Sequence, residues 1–70
     1  MPIHPAVAIE IAHAALHAAR WSVGDMRFIH QGRAAWQVYA HRGEHRIVAR
    51  APGQSVAWKR AAAIAAKIAG

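Results

Sequence analysis

The residues of this sequence best suited to chemistry are cations in its second half, joined by one aromatic side chain. Arginine binds phosphate through paired hydrogen bonds and stacks on nucleobases, and a flat sheet that carries an aromatic side chain can hold a nucleic-acid strand. Cations near the start of a helix also suit a phosphate. The candidate nucleic-acid-binding residues are Tyr39, His41, Arg42, Arg46, Arg50, Lys59 and Arg60.

The distribution of charge along the chain supports this interpretation. The 70 residues include nine Lys and Arg against three Asp and Glu, which gives a formal net charge of +6. Seven of the nine cations lie from Arg33 onward, where Glu44 is the only acid. Such a balance favours DNA, RNA or an acidic protein surface as the partner. A genome rich in G and C would also raise the Arg and Ala content, but it explains less well why the cations are concentrated in the second half of the chain.

Alternating residue types predict a β-hairpin that would place several of these cations on one surface. Apolar and polar residues alternate between positions 36 and 41 and again between positions 46 and 50, which is the period of a strand. A two-residue turn at Arg42 and Gly43 would put glycine where a tight turn needs positive φ. This turn pairs Trp36 with Ala49 and Val38 with Ile47.

The predicted pairing assigns each side chain to one of two faces, because directly paired residues share a face. Trp36 is expected to be the main apolar residue of the core. The predicted core face carries Trp36, Val38, Ala40, Ile47 and Ala49. The predicted exposed face carries Tyr39, His41, Glu44, Arg46 and Arg50.

Two helices and a short strand complete the prediction. A helix is expected from residue 6 to about residue 21, and a strand from residue 25 to residue 30 with Met26 and Phe28 directed inward. A three-residue loop at positions 31–33 would pair Phe28 with Trp36 and Met26 with Val38. A corner at residues 52 and 53 precedes a last helix, capped by Ser55 or Gln54. The sequence therefore predicts one α+β domain over residues 1–70: helix, two or three antiparallel strands, helix, with both helices on one face of the sheet.

This element order is similar in layout to the double-stranded-RNA-binding domain. That family places a Lys-Lys pair directly after a corner of the Gly-x-Ser type, whereas this chain has Val56 and Ala57 there. The similarity therefore concerns the order of the elements and implies no membership of the family.

The first helix predicts a homodimer. Its only polar stripe is narrow, and the remaining apolar arc is wider than one side of a small sheet can bury. The candidate dimer residues are Val7, Ile11 and Leu16. A homodimeric protein-interaction module, or a small inhibitor or regulator from a mobile element or phage, is therefore the alternative to nucleic-acid binding. A membrane-active cationic peptide is a third class, which the polar strand faces disfavour.

The sequence offers little for other chemistry. Three carboxylates on three separate segments, with no glycine-rich phosphate loop, argue against an enzyme or a bound cofactor. Glu10, His13 and His17 share a helical face, and two histidines four residues apart can chelate a divalent metal. The sequence implies no further ligand for such a pair, so no metal site is predicted. The chain lacks cysteine, a signal peptide and a long apolar run, which leads us to expect a cytoplasmic protein without a membrane partner.

Overall fold

A computed structural model describes residues 4–68 and shows two helices packed on one face of a three-stranded sheet. The elements are α1 (Pro5–Ala18), β1 (Ser22–His30), β2 (Arg33–Arg42), β3 (His45–Ala51) and α2 (Gln54–Ala66). The strands are antiparallel and lie in the order β1-β2-β3. The predicted α+β class is confirmed, and residues 25 to 30 belong to a genuine third strand. Neither helix in the described residues is long and apolar enough to cross a membrane.

The hairpin of β2 and β3 turns one residue later than predicted. Gly43 and Glu44 form the turn, and Val38 pairs with Ala49 where Ile47 was expected. The reason lies in the turn itself. Gly43, with φ +59, takes the first central position, where a type II′ turn needs glycine, whereas the predicted turn would have placed Arg42 there.

The offset between the predicted and observed pairing is two residues, so the prediction of the faces survives. Side chains alternate with a period of two, and a shift of two returns each one to the same side. Trp36 now pairs with Ala51, which adds a further apolar residue to the core face.

The prediction for β1 is wrong in register and in face. Gln31 and Gly32 make a two-residue turn, both with positive φ as a type I′ turn requires, where a three-residue loop was expected. The resulting shift of one residue reverses the sides of the strand. Met26 and Phe28 consequently share the side of Gln37 and Ala35, away from the helices.

The helix α1 ends three residues earlier than predicted, in a Schellman motif. Arg20 adopts a left-handed φ of +68, its N–H bonds to the His17 carbonyl at 2.9 Å, and the Trp21 N–H bonds to the Leu16 carbonyl at 3.0 Å. This turn directs Trp21 back into the core, where it is buried.

The start of α2 also differs from the prediction. Gly53 is the N-cap and provides no side-chain bond, so neither Ser55 nor Gln54 acts as the cap. The Gln54 side chain instead donates to Asp25 on β1 at 2.8 Å. The Trp58 indole N–H donates to the same carboxylate oxygen at 3.0 Å, which fastens α2 to the sheet.

The core is built mainly from alanine and two tryptophans. Trp21 and Trp58 are buried, whereas Trp36 is only partly buried, so the expectation that Trp36 is the main core residue is wrong. The small side chains allow α1 and α2 to lie close to each other and to the sheet. The central residues are Ala12, Leu16, Trp21, Val38, Ala40, Ile47, Ala49, Ala51, Ala57, Trp58, Ala61 and Ala65.

The predicted dimer residues divide between the core and the surface. Leu16 is 1% exposed within its own chain and therefore offers no contact area to a partner, which corrects its assignment to an interface. Val7 and Ile11 of α1 are exposed. Whether these two residues meet a second copy stays a prediction.

Candidate nucleic-acid interface

The sheet face opposite the helices, hereafter the open face, is formed by alternate residues of all three strands. Its membership follows from the observed register, which places direct partners on one side. The open face comprises Ser22, Gly24, Met26, Phe28 and His30 on β1, Arg33, Ala35, Gln37, Tyr39 and His41 on β2, and Arg46, Val48 and Arg50 on β3. None of these strand residues is an Asp or Glu.

The middle of the open face is apolar and accessible. Tyr39, Val48 and Met26 are 46, 57 and 49% exposed, and Tyr39 pairs directly with Val48 on one side and Gly24 on the other. The Tyr39 ring lies over Gly24, where an added Cβ would be 2.5 Å from the Tyr39 Cζ. Glycine at position 24 therefore allows the aromatic ring to rest flat against β1.

Cations flank this apolar middle along the strands. Arg46 pairs with His41 at the end of the face near the β2–β3 turn. Arg50 lies on the other side of Val48, and its Nε donates to the Gln37 Oε1 at 2.7 Å. The Arg50 guanidinium carbon is also 5.8 Å from the centroid of the Phe28 ring. The side chain of Arg50 is thus held across the sheet.

Arg42 lies on the helix side of the sheet and has a structural contact there. Its Nη1 donates to the carbonyl of Ala19 at 2.8 Å, at the end of α1. Its guanidinium carbon is 4.6 Å from the centroid of the Trp21 ring. Arg42 was predicted in the hairpin turn as a nucleic-acid-binding residue, but it is the last residue of β2 and its side chain lies on the side away from the open face.

The two cations predicted on α2 have different surroundings. Arg60 reaches the end of β3, where its Nη1 donates to the carbonyl of Arg50 at 2.7 Å. Lys59 instead borders an apolar groove between the helices, together with Ile11. The structure thus gathers Tyr39, His41, Arg46 and Arg50 on the open face and adds Arg60 at its edge, while Arg42 and Lys59 lie elsewhere.

A cleft of about 280 Å³ opens where the open face meets the start of α2. Its walls are Phe28, His30, Ala35, Arg50, Ala51, Pro52 and Arg60. A neighbouring recess shares His30, Ala35 and Pro52 with it and adds Arg33. Apolar surface and guanidinium groups therefore meet at this end of the sheet.

The sequence analysis missed the side chains that β1 and the turn after it bring to the face, which include Met26, Phe28, His30 and Arg33. The cause was the one-residue error in β1. The adjacent Gln31 and Gly32 carry the signal that could have corrected it, because both can adopt the positive φ of a two-residue hairpin turn.

Two of the histidines lie next to each other on α1. The rings of His13 and His17 are stacked with centroids 6.3 Å apart on α1. Within residues 4–68, no three His, Asp or Glu side chains converge in a way that could hold a metal ion.

Comparison of the chain with protein-family models, with curated proteins and with solved structures finds no match. The functional interpretation therefore depends on the residues and their geometry.

Proposed function

We propose that this protein binds single-stranded nucleic acid on its open face, without catalysis, and contacts the strand mainly through its phosphates. The observation that carries the proposal is an accessible aromatic and apolar middle, centred on Tyr39, flanked by Arg46 and Arg50 on a face without carboxylates. Aromatic stacking accepts any base, and arginine binds the backbone irrespective of sequence.

The dimensions of the domain favour a single strand over a duplex. The open face is three strands wide, whereas a DNA major groove, about 12 Å wide, admits a two-stranded ribbon. The two helices pack against the other side of the sheet, so the domain presents one broad surface to a ligand and not a free two-stranded ribbon. An extended strand, in contrast, can lie flat on the open face.

The order of residues along β3 suggests how the strand is held. Arg46 and Arg50 are four residues apart, about 13 Å at the usual rise per residue, with Val48 between them. Tyr39 lies beside Val48 on the adjacent strand. A base stacked on Tyr39 would then have phosphates on both sides within reach of the two guanidinium groups.

The decisive experiment is a salt titration of binding to a fluorescent single-stranded oligonucleotide. Each phosphate contact contributes about 0.7 to the slope of log K against log salt for a single strand. The double substitution Arg46→Ala and Arg50→Ala should therefore weaken binding and flatten the slope by about 1.4. Tyr39→Ala should weaken binding by about 1–3 kcal/mol with little change in slope, because stacking releases no counterions.

Arg27→Ala is the matched control for this experiment. Arg27 is exposed, carries the same charge, and lies on the helix side of β1. A double mutant that binds with the parent's slope, or a parent that fails to bind at low salt, would refute the proposal. Stronger binding to duplex than to single strands would refute the choice of a single strand.

A homodimeric interaction module is the second candidate, supported by a specific observation on the helices. Val7, Ile11 and Ile64 are exposed apolar residues, and an apolar groove lies between α1 and α2. A second copy could cover this surface. Sedimentation equilibrium of the parent and of Ile11→Glu separates the possibilities: a dimer that dissociates in the variant supports the module, and a parent monomer of about 7.6 kDa at micromolar concentration excludes it.

A further inference from the structure

We infer that the cleft between Phe28 and Arg60 binds one nucleotide unit, a planar ring that carries a phosphate. The inference rests on the proposed function, since the cleft opens on the same face and would receive the end of a bound strand. A free mononucleotide has the same chemistry and is the other source of such a ligand.

The apolar part of the cleft suits a flat ring. Phe28, Ala35, Ala51 and Pro52 supply carbon surface, and the Phe28 side chain is partly buried. The volume of about 280 Å³ is near the lower limit for small-molecule sites, about 300–1,000 Å³. One ring fits these dimensions better than a dinucleotide cofactor does.

The charged part of the cleft suits a phosphate. The Arg60 guanidinium is tethered to the Arg50 carbonyl, and the Arg50 Nε is tethered to Gln37. Each tether uses one of the five N–H donors of a guanidinium, so both groups keep donors for an anion while their side chains are already ordered. No carboxylate contributes to the described lining of the cleft.

The ring and the phosphate should act together, which distinguishes this site from a general basic surface. Contact with the apolar walls stabilises a bound base because it removes the base from water. The two arginines stabilise the attached phosphate through charge-assisted hydrogen bonds. A nucleoside without phosphate, or phosphate without a ring, would use half of the site.

The test is an NMR titration of the whole protein with AMP and UMP, and separately with adenosine and with inorganic phosphate. The expected result is a set of saturable shifts at Phe28, Ala35 and Ala51, with a nucleotide affinity at least tenfold above that of adenosine or phosphate. Equal affinity for AMP and inorganic phosphate, or shifts confined to other residues, would overturn the inference.

Two substitutions test the cleft while the fold of the protein is checked in the same spectra. Arg60→Gln removes one phosphate ligand from the edge of the sheet, and Ala35→Leu fills the cleft from its floor. Both should reduce AMP affinity at least fivefold while leaving the dispersion of the spectrum intact. The control Arg27→Gln has the same change of charge on the other side of the sheet and should bind AMP as the parent does. AMP binding unchanged in both cleft variants would overturn the assignment.

Oligonucleotides with and without a 5′ phosphate distinguish the two sources of the ligand. If the cleft receives a strand end, the phosphorylated oligonucleotide binds more tightly, and Arg60→Gln abolishes the difference. If it takes free nucleotides, AMP binds but the end group has no effect. Oligonucleotide binding with no mononucleotide shifts at the cleft and no effect of the end phosphate overturns this inference alone. Mononucleotide binding without oligonucleotide binding overturns the proposed function alone.

Discussion

Replacement of Arg42 by alanine should destabilise the protein without affecting nucleic-acid binding. The Arg42 Nη1 lies 2.8 Å from the Ala19 carbonyl, one of the groups that the end of a helix leaves without an intrahelical partner. The guanidinium carbon also lies 4.6 Å from the centroid of the Trp21 ring. Both contacts connect the end of α1 with the end of β2.

The magnitude follows from these two contacts. The hydrogen bond, which is accessible to solvent, contributes about 1 kcal/mol, and the cation–π contact about 0.5–1 kcal/mol. The expected loss is therefore about 1.5–2 kcal/mol. This loss is a large part of the free energy of unfolding expected for a domain of 70 residues, about 4–10 kcal/mol. In a domain of this size each kcal/mol lowers the Tm by about 4–8 °C, so the Tm should fall by roughly 6–16 °C.

The assay is urea unfolding of the parent, Arg42→Ala, Arg42→Lys and Arg46→Ala, monitored by circular dichroism. Arg42→Lys keeps the charge and loses the planar stacking, so we expect an intermediate stability. Arg46→Ala controls for the loss of one exposed arginine from a strand. If Arg42→Ala and Arg46→Ala unfold within about 0.5 kcal/mol of each other, or if Arg42→Ala flattens the salt slope of oligonucleotide binding, the structural role assigned to Arg42 is wrong.

Three further predictions concern stability and can use the same urea assay. Arg20→Gly should stabilise the protein by about 0.5–1 kcal/mol, since Arg20 has φ +68 and glycine avoids the steric cost; a less stable variant would contradict this. Asp25→Ala should cost about 1–3 kcal/mol, because it leaves the Trp58 indole N–H without its acceptor, and Asp25→Asn should cost less. Trp58→Ala should cost about 3–5 kcal/mol and Trp36→Ala clearly less, and the reverse order would contradict the observed burial.

Much of the fold could be predicted from the sequence because its signals are local. The alternation around Val38 and Ile47 identifies the two strands and their buried sides without knowledge of the exact turn, since an error of two residues preserves the face. The order of the elements follows from Gly and Pro at their boundaries. The three-stranded sheet covered by two helices is therefore readable from periodicity.

The strand register and the long-range side-chain contacts that form the candidate site were harder to predict from the sequence. A choice between a two-residue and a three-residue turn at Gln31 is a small local difference, yet it moved Phe28 from the core to the open face. The roles of Arg42 and Trp58 depend on partners far away in sequence, at Ala19 and Asp25. Composition and spacing carry no information on such pairings.

The meander connectivity of the sheet has a consequence for the rate of folding. Each strand pairs only with its neighbour in sequence, through turns of two residues, so strand pairing has a small loop-closure cost. Such hairpins form in about 1–10 μs. The contact between α1 and α2, in contrast, joins opposite ends of the chain, and it must wait until the sheet has brought them together. Docking of the two helices should therefore be the late step, and substitutions between them should accelerate unfolding more than they slow folding.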